Sequence, residues 1–150
     1  MKVLFLDFDG VLNTQDYRDS HGSMGAGIDT DKLVLFKKIV DSTDAKIVLI
    51  TSLREYWDKN PEKCDYFGKV INDTFAEYGL EIYDKTPVSD SGKREDEILE
   101  WIVDNPGIKN YVAIDDGVLF AKFLVGHFVQ PKDGLELEHV NMAIEILNSK

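Results

Sequence analysis

Apolar residues occur along this chain in two rhythms, short unbroken runs and stripes spaced three and four apart, and the two alternate from end to end. Val3-Leu4-Phe5-Leu6, Ile47-Val48-Leu49-Ile50 and Tyr111-Val112-Ala113-Ile114 are near-continuous apolar runs. Such runs mark strands covered by helices on both faces of a parallel sheet. Shorter strands are predicted from Leu80 to Tyr83 and from His127 to Val129. The helical stripes lie between them. One helix is predicted from Asp31 to Val40, with Leu33, Phe36 and Val40 on its buried face and Asp29 or Thr30 as N-cap. Asn60-Pro61 opens a second, whose stripe of Phe67, Val70, Ile71, Phe75 and Tyr78 runs until Gly79 ends it. A third carries Ile98, Trp101, Ile102 and Val103 and stops at Asn105-Pro106-Gly107. A short helix near Phe120 to Leu124 and a last one from Leu135 to Leu147, with Glu136 and Glu138 in its first turn, complete the pattern. The polar stretch from Thr14 to Ile28, with Gly22, Gly25 and Gly27, reads as a mobile loop.

Alternating strand and helix units of this length predict an α/β fold, a three-layer doubly wound (Rossmann-like), mainly parallel sheet. Ligands of such sheets bind beyond the carboxyl ends of the strands, at the point where the strand order reverses. Polar residues end three of the predicted strands: Asp7 and Asp9 the first, Thr51 and Ser52 the second, Asp115 and Asp116 the one before the tail. They are expected to converge on one site.

The segment Asp7-Phe8-Asp9-Gly10 sharpens that expectation. Two aspartates at i and i+2 on a strand project to the same face, where their charges oppose each other unless a cation lies between them. Hard carboxylate oxygens suit Mg2+, which takes one or two carboxylates, keeps several waters and accepts phosphate oxygens.

Composition narrows the setting. With 150 residues, 43% of them hydrophobic, the chain is expected to form one domain spanning residues 1–150. No apolar run approaches the ~20 residues that cross a bilayer, and the chain enters a strand without the layout of a signal peptide, so a cytoplasmic protein is expected. Cys64 is the one cysteine, which excludes an intrachain disulfide and a thiolate metal cluster. The net charge of −11 opposes a long nucleic-acid footprint. Arg54, Lys59, Lys63 and Lys69 form a locally basic stretch that leaves room for a short footprint and otherwise reads, by preference, as a solvated helix face. His21, His127 and His139 lack a metal-ligand spacing. Trp57 and Trp101 read as core or rim aromatics rather than base-stacking platforms.

Taken in order, Asp7-x-Asp9-Gly-Val-Leu-Asn, a hydroxyl ending the second strand, a basic residue before a late helix and Asp115-Asp116 resemble the four motifs of the haloacid dehalogenase (HAD) superfamily of phosphohydrolases. Ile-Val-Leu-Ile-Thr-Ser-Leu-Arg and Lys-Arg-Glu-Asp-Glu-Ile-Leu-Glu-Trp-Ile further resemble small members, including the phosphatase halves of nucleic-acid end-repair enzymes. The resemblance implies an aspartyl-phosphate mechanism with Asp7 as nucleophile and Asp9 as general acid and base. It implies Mg2+ held by Asp7, the Asp9 carbonyl and Asp115, with help from Asp116. Ser-x-Arg matches the end-repair phosphatases, which favours Ser52 as the phosphate-binding hydroxyl and makes Arg54 a phosphate clamp. Thr51 is the alternative, since a one-residue shift changes the face it meets. The superfamily lysine falls on Lys93, and Arg94 aligns with some small relatives. Asn13 is either a positioner of the first motif or a local turn residue.

Superfamily members usually choose substrates with inserted cap domains, and neither gap between motifs has room for a large one. A capless, open site goes with phosphate on a macromolecule or an oligomer end, so the expected partner is a phosphorylated substrate, small molecule or nucleic-acid end, with no membrane. The Thr14 to Ile28 loop is a candidate lid. Asp9 argues against a dehalogenase, because a halide leaves without a proton. A receiver-type signalling domain would carry its adjacent acidic pair on the first strand, where this chain has the spaced pair. A phosphate-binding module without turnover would lack an essential group.

Overall fold

Val3, Leu4, Phe5 and Leu6 are all fully buried, because their strand lies in the middle of a sheet with helices on both sides. The computed structural model describes residues 1–150. Its elements, in chain order, are β1 (Lys2–Leu6), α1 (Gln15–His21), α2 (Thr30–Thr43), β2 (Lys46–Leu49), α3 (Tyr66–Glu77), β3 (Ile82–Lys85), α4 (Arg94–Asp104), β4 (Asn110–Ile114), β5 (Phe128–Val129) and α5 (Leu137–Asn148). The five strands form one sheet in the order β3-β2-β1-β4-β5, and every pair is parallel. The doubly wound α/β architecture is therefore the one read from the sequence.

Alternation along the strands builds two cores. Leu4 and Leu6 of β1 join Leu33, Phe36 and Ile39 of α2, Ile71 and Phe75 of α3 and Val140, Ala143 and Leu147 of α5 on one face. Val3 and Phe5 join Ile98 and Trp101 of α4 on the other, where the Phe5 and Trp101 rings meet edge-on at 5.6 Å. Chain order runs outward from β1 through β2 to β3, then crosses under the sheet along α4 to β4. The strand order thus reverses between β1 and β4, and the crevice at their carboxyl ends is the natural ligand position.

Four local expectations change. The stretch from Thr14 to Ile28 is folded: Thr14 caps α1 by accepting from Tyr17 N, and a 3-10 turn covers Met24–Gly27. The Tyr17 hydroxyl donates to Ile28 O, and Gln15 N donates to Asp133, which ties this segment to the body. Asn60-Pro61 opens only a 3-10 turn over Pro61–Lys63, and α3 begins after an extended Cys64-Asp65. The third strand lies two residues later than predicted, at Ile82–Lys85, with an irregular register against β2 between Ile47 and Val48. Cys64, which a helix opening at Asn60-Pro61 would contain, is instead buried at the end of the 3-10 turn, its thiol bonded to the Asp58 backbone. No helix is long and apolar enough to cross a membrane.

Candidate active site

Leu6 pairs with Ile114 across β1 and β4, so the residues that follow them, Asp7 and Asp115, leave the sheet side by side. The ladder runs one step further: Asp7 N donates to Ile114 O at 3.0 Å and Asp115 N to Val129 O at 3.3 Å. Both carboxylates are buried. Asp116 is more exposed and completes a trio whose ligand oxygens all lie within 4.8 Å of one another. It reaches this position because residue 10 has no side chain. A Cβ on Gly10, whose φ is +76°, would stand 2.2 Å from Asp116 Oδ2.

Burial raises the Asp7 pKa from 3.8 to about 7, with the charge of Asp115 adding to the rise and that of Arg94 opposing it. Desolvation and Asp115 likewise raise Asp116, while Arg18 pulls it down. Three crowded carboxylates with all-oxygen donors are more negative charge than the protein's own cations neutralise. The donor set fits a hard divalent cation.

Arg94, the first residue of α4, supplies the nearest of those cations. Its Nη1 lies 2.7 Å from Asp115 Oδ2 and 3.3 Å from Asp7 Oδ1. Burial pulls its pKa down, and the facing charges of Asp7 and Asp115 more than offset this, leaving the guanidinium above its ordinary value. Lys93 is exposed one residue earlier, where its backbone N–H donates to Ser91 Oγ. Of the two predicted cations, Arg94 is the one beside the aspartates.

Asp9 departs from the same-face expectation. The strand ends at Leu6, and the Asp9 carboxylate stands outside the acidic trio, held by Asn13 Nδ2 at 3.0 Å. Asn13 is fully buried and fixes the whole loop: its Oδ1 accepts from Gly10 N, and its Nδ2 also donates to Gly27 O. Gly27 reaches it through a left-handed turn in which Gly25, Ala26 and Gly27 all have positive φ. Asn13 therefore positions the first motif.

Thr51 and Ser52 follow β2. Thr51 is buried and its hydroxyl accepts from Leu53 N, while Ser52 is exposed and lines a cleft of about 330 Å³ with Asp9. Arg54 corrects the sequence reading most clearly. Its side chain is 7% exposed, and Nη2 meets Glu97 Oε1 at 2.9 Å. The other donors go to the carbonyls of Thr86, Ile50, Thr51 and Pro87. A guanidinium has five N–H groups, and all are taken, so none is left for a phosphate. Of the basic stretch, Arg54 is buried, while Lys59, Lys63 and Lys69 are exposed as expected but lie on a bend, the 3-10 turn and α3 rather than on one helix face.

One cleft residue was missed. Arg18 of α1 lines the cleft and donates to Asn13 Oδ1 at 2.6 Å and to Gln15 Oε1 at 2.8 Å. No residue of α1 is buried, so the sequence carries no apolar period to reveal the helix; only Thr14 ahead of it is a capping signal.

A protein-family model described as the HAD domain in Swiss Army Knife RNA repair proteins matches residues 3–140. The chain belongs to this family. The match takes in both acidic motifs, Arg94 and every strand of the sheet, so the HAD assignment covers the site together with its scaffold. No curated protein and no solved structure matches the chain. Trp57 and Trp101, at 3% exposure each, are core residues whose indole N–H groups bond Asn72 and Asp84.

Proposed function

We propose that this HAD domain is a Mg2+-dependent phosphomonoester hydrolase that works through an aspartyl-phosphate on Asp7 and acts on a phosphorylated nucleotide or nucleic-acid end. The observation that carries the reading is the meeting of Asp7, Asp115 and Asp116 at the β1/β4 reversal, with the Arg94 guanidinium against Asp7 and Asp115. The family's description, which names RNA repair proteins, supports the substrate class.

Asp7, Asp115 and Asp116, with the Asp9 carbonyl, would hold the ion. When bound, it supplies charge neutralisation for the phosphoryl oxygens and lets Asp7 ionise. An Asp7 oxygen forms a bond to phosphorus as the bond to the ester oxygen breaks. Asp9 gives its proton to the departing alkoxide. It then takes a proton from the water that attacks phosphorus, and the bond to Asp7 breaks to release inorganic phosphate. Asn13 engages Asp9 Oδ1, which leaves Oδ2 for that proton. Arg94, beside Asp7, would stabilise the developing charge, together with a hydroxyl from the Thr51-Ser52 pair.

The test is turnover of p-nitrophenyl phosphate and of a panel of 5′- and 3′-phosphorylated oligonucleotides, mononucleotides and sugar phosphates, with and without Mg2+. Asp7→Asn is expected to abolish turnover. Activity that survives it overturns the assignment.

A further inference from the structure

The cleft beside Asp9 is lined by two chemical kinds of side chain: Asp9, Arg18 and Ser52 are polar, and Ala26, Leu53 and Phe67 are apolar. Its volume of about 330 Å³ lies at the small end of ligand pockets and suits a group the size of a nucleoside. Ile71 and Phe75 of α3 are fully buried, whereas Phe67 and Val70 pack against the core only in part, and of these two Phe67 lines the cleft. Two more rings adjoin it. Tyr56 lies 5.4 Å from it and Tyr66 5.5 Å, centroid to centroid, and they are 41% and 74% exposed. A cleft-lining ring backed by two partly exposed tyrosines offers a surface that something flat and apolar would cover.

We infer that the cleft holds the base of the nucleotide whose phosphate is removed, with Phe67 as its stacking surface and Tyr56 and Tyr66 supporting the ring. The inference rests on the phosphatase reading, because a general acid must lie within hydrogen-bond reach of the leaving oxygen. The nucleoside attached to that oxygen then extends into the space that Asp9 lines. A net charge of −11 opposes a long footprint on a strand, so recognition falls on the terminal nucleotide. Stacking accepts any base. Arg18 is the one cation that lines the cleft.

The experiment measures binding to the Asp7→Asn protein of two phosphorylated dinucleotides, one intact and one abasic at the phosphorylated residue, by isothermal titration calorimetry. The intact ligand is expected to bind about tenfold tighter, in line with the loss seen when one stacking ring is removed. Phe67→Leu is expected to bring the ratio close to one, and Phe67→Tyr to keep it. Equal affinity for both ligands, no binding of either, or a preference that survives Phe67→Leu overturns the inference. Binding of the abasic ligand reports that the Leu variant is folded. Turnover by the unmodified protein tests the phosphatase reading separately, since this comparison involves no chemistry.

Discussion

Arg54 and Glu97 meet at 2.9 Å with both side chains almost wholly buried, joining the turn after β2 to α4. Glu97 also accepts from Ser89 N, which fixes the loop leading into α4 and hence the position of Arg94. Breaking a buried pair from one side strands the other charge and costs about 3–5 kcal/mol. Arg54→Met and Glu97→Gln are each expected to lose stability on that scale in urea denaturation. A phosphate clamp would behave differently: Arg54→Met alone would raise KM, with little loss of stability.

Arg94, not Lys93, is expected to carry the cationic role. Losing a fixed charge that faces the transition state lowers rate by roughly 10²–10³-fold. Arg94→Ala should fall by that much in kcat/KM for a phosphomonoester, with Lys93→Ala nearly unchanged, measured side by side. The reverse order would return the role to Lys93.

The two differ in legibility for a physical reason. Sequence spacing places a residue on an element but does not say which way a long side chain turns. Lys93 and Arg94 are adjacent, and only the proximity of Asp7 and Asp115 separates them. Ser-x-Arg looked like a clamp because the partner of Arg54 lies on a distant helix. The strands β1, β2 and β4, by contrast, were legible as unbroken apolar runs, since two-sided burial leaves no polar positions in them after their first residues, Lys2, Lys46 and Asn110. The acidic motifs were legible too, because they end those strands. Helix α1 was not: it buries nothing, and the glycines that follow it, Gly22, Gly25 and Gly27, mimic a loop.

Asn13 offers a test of the acid. Its Nδ2 holds Asp9 at 3.0 Å, so Asn13→Ala should lower kcat by about 10- to 100-fold, short of the 10²–10⁴-fold expected for removing the acid itself. The loss should be larger for an alkyl phosphate than for p-nitrophenyl phosphate, because only the alkoxide needs a proton to leave. Equal losses on both would mean that Asn13 acts on the fold alone.

The pH dependence of stability follows from Asp7. In protein freed of divalent ions its pKa is raised from 3.8 to about 7, chiefly by burial. Between those values the native state keeps a proton that the unfolded chain releases. The contribution of this group is therefore full below about pH 3.8 and is lost as pH rises through about 7. Scanning calorimetry in chelator should show Asp7→Asn removing a downward slope of Tm across that window, and Mg2+ should raise the Tm of the unmodified protein at pH 7. A slope unchanged by Asp7→Asn would contradict the burial argument.

A covalent bond between phosphorus and Asp7 is the step on which the rest depends. Hydroxylamine converts an acyl phosphate into a hydroxamate, so quenching the protein with it during turnover of a phosphomonoester and mapping the peptides by mass spectrometry locates the bond. A hydroxamate at Asp7 is the predicted result; steady turnover with the Asp7 peptide unmodified, or with the label on another carboxylate, would contradict it.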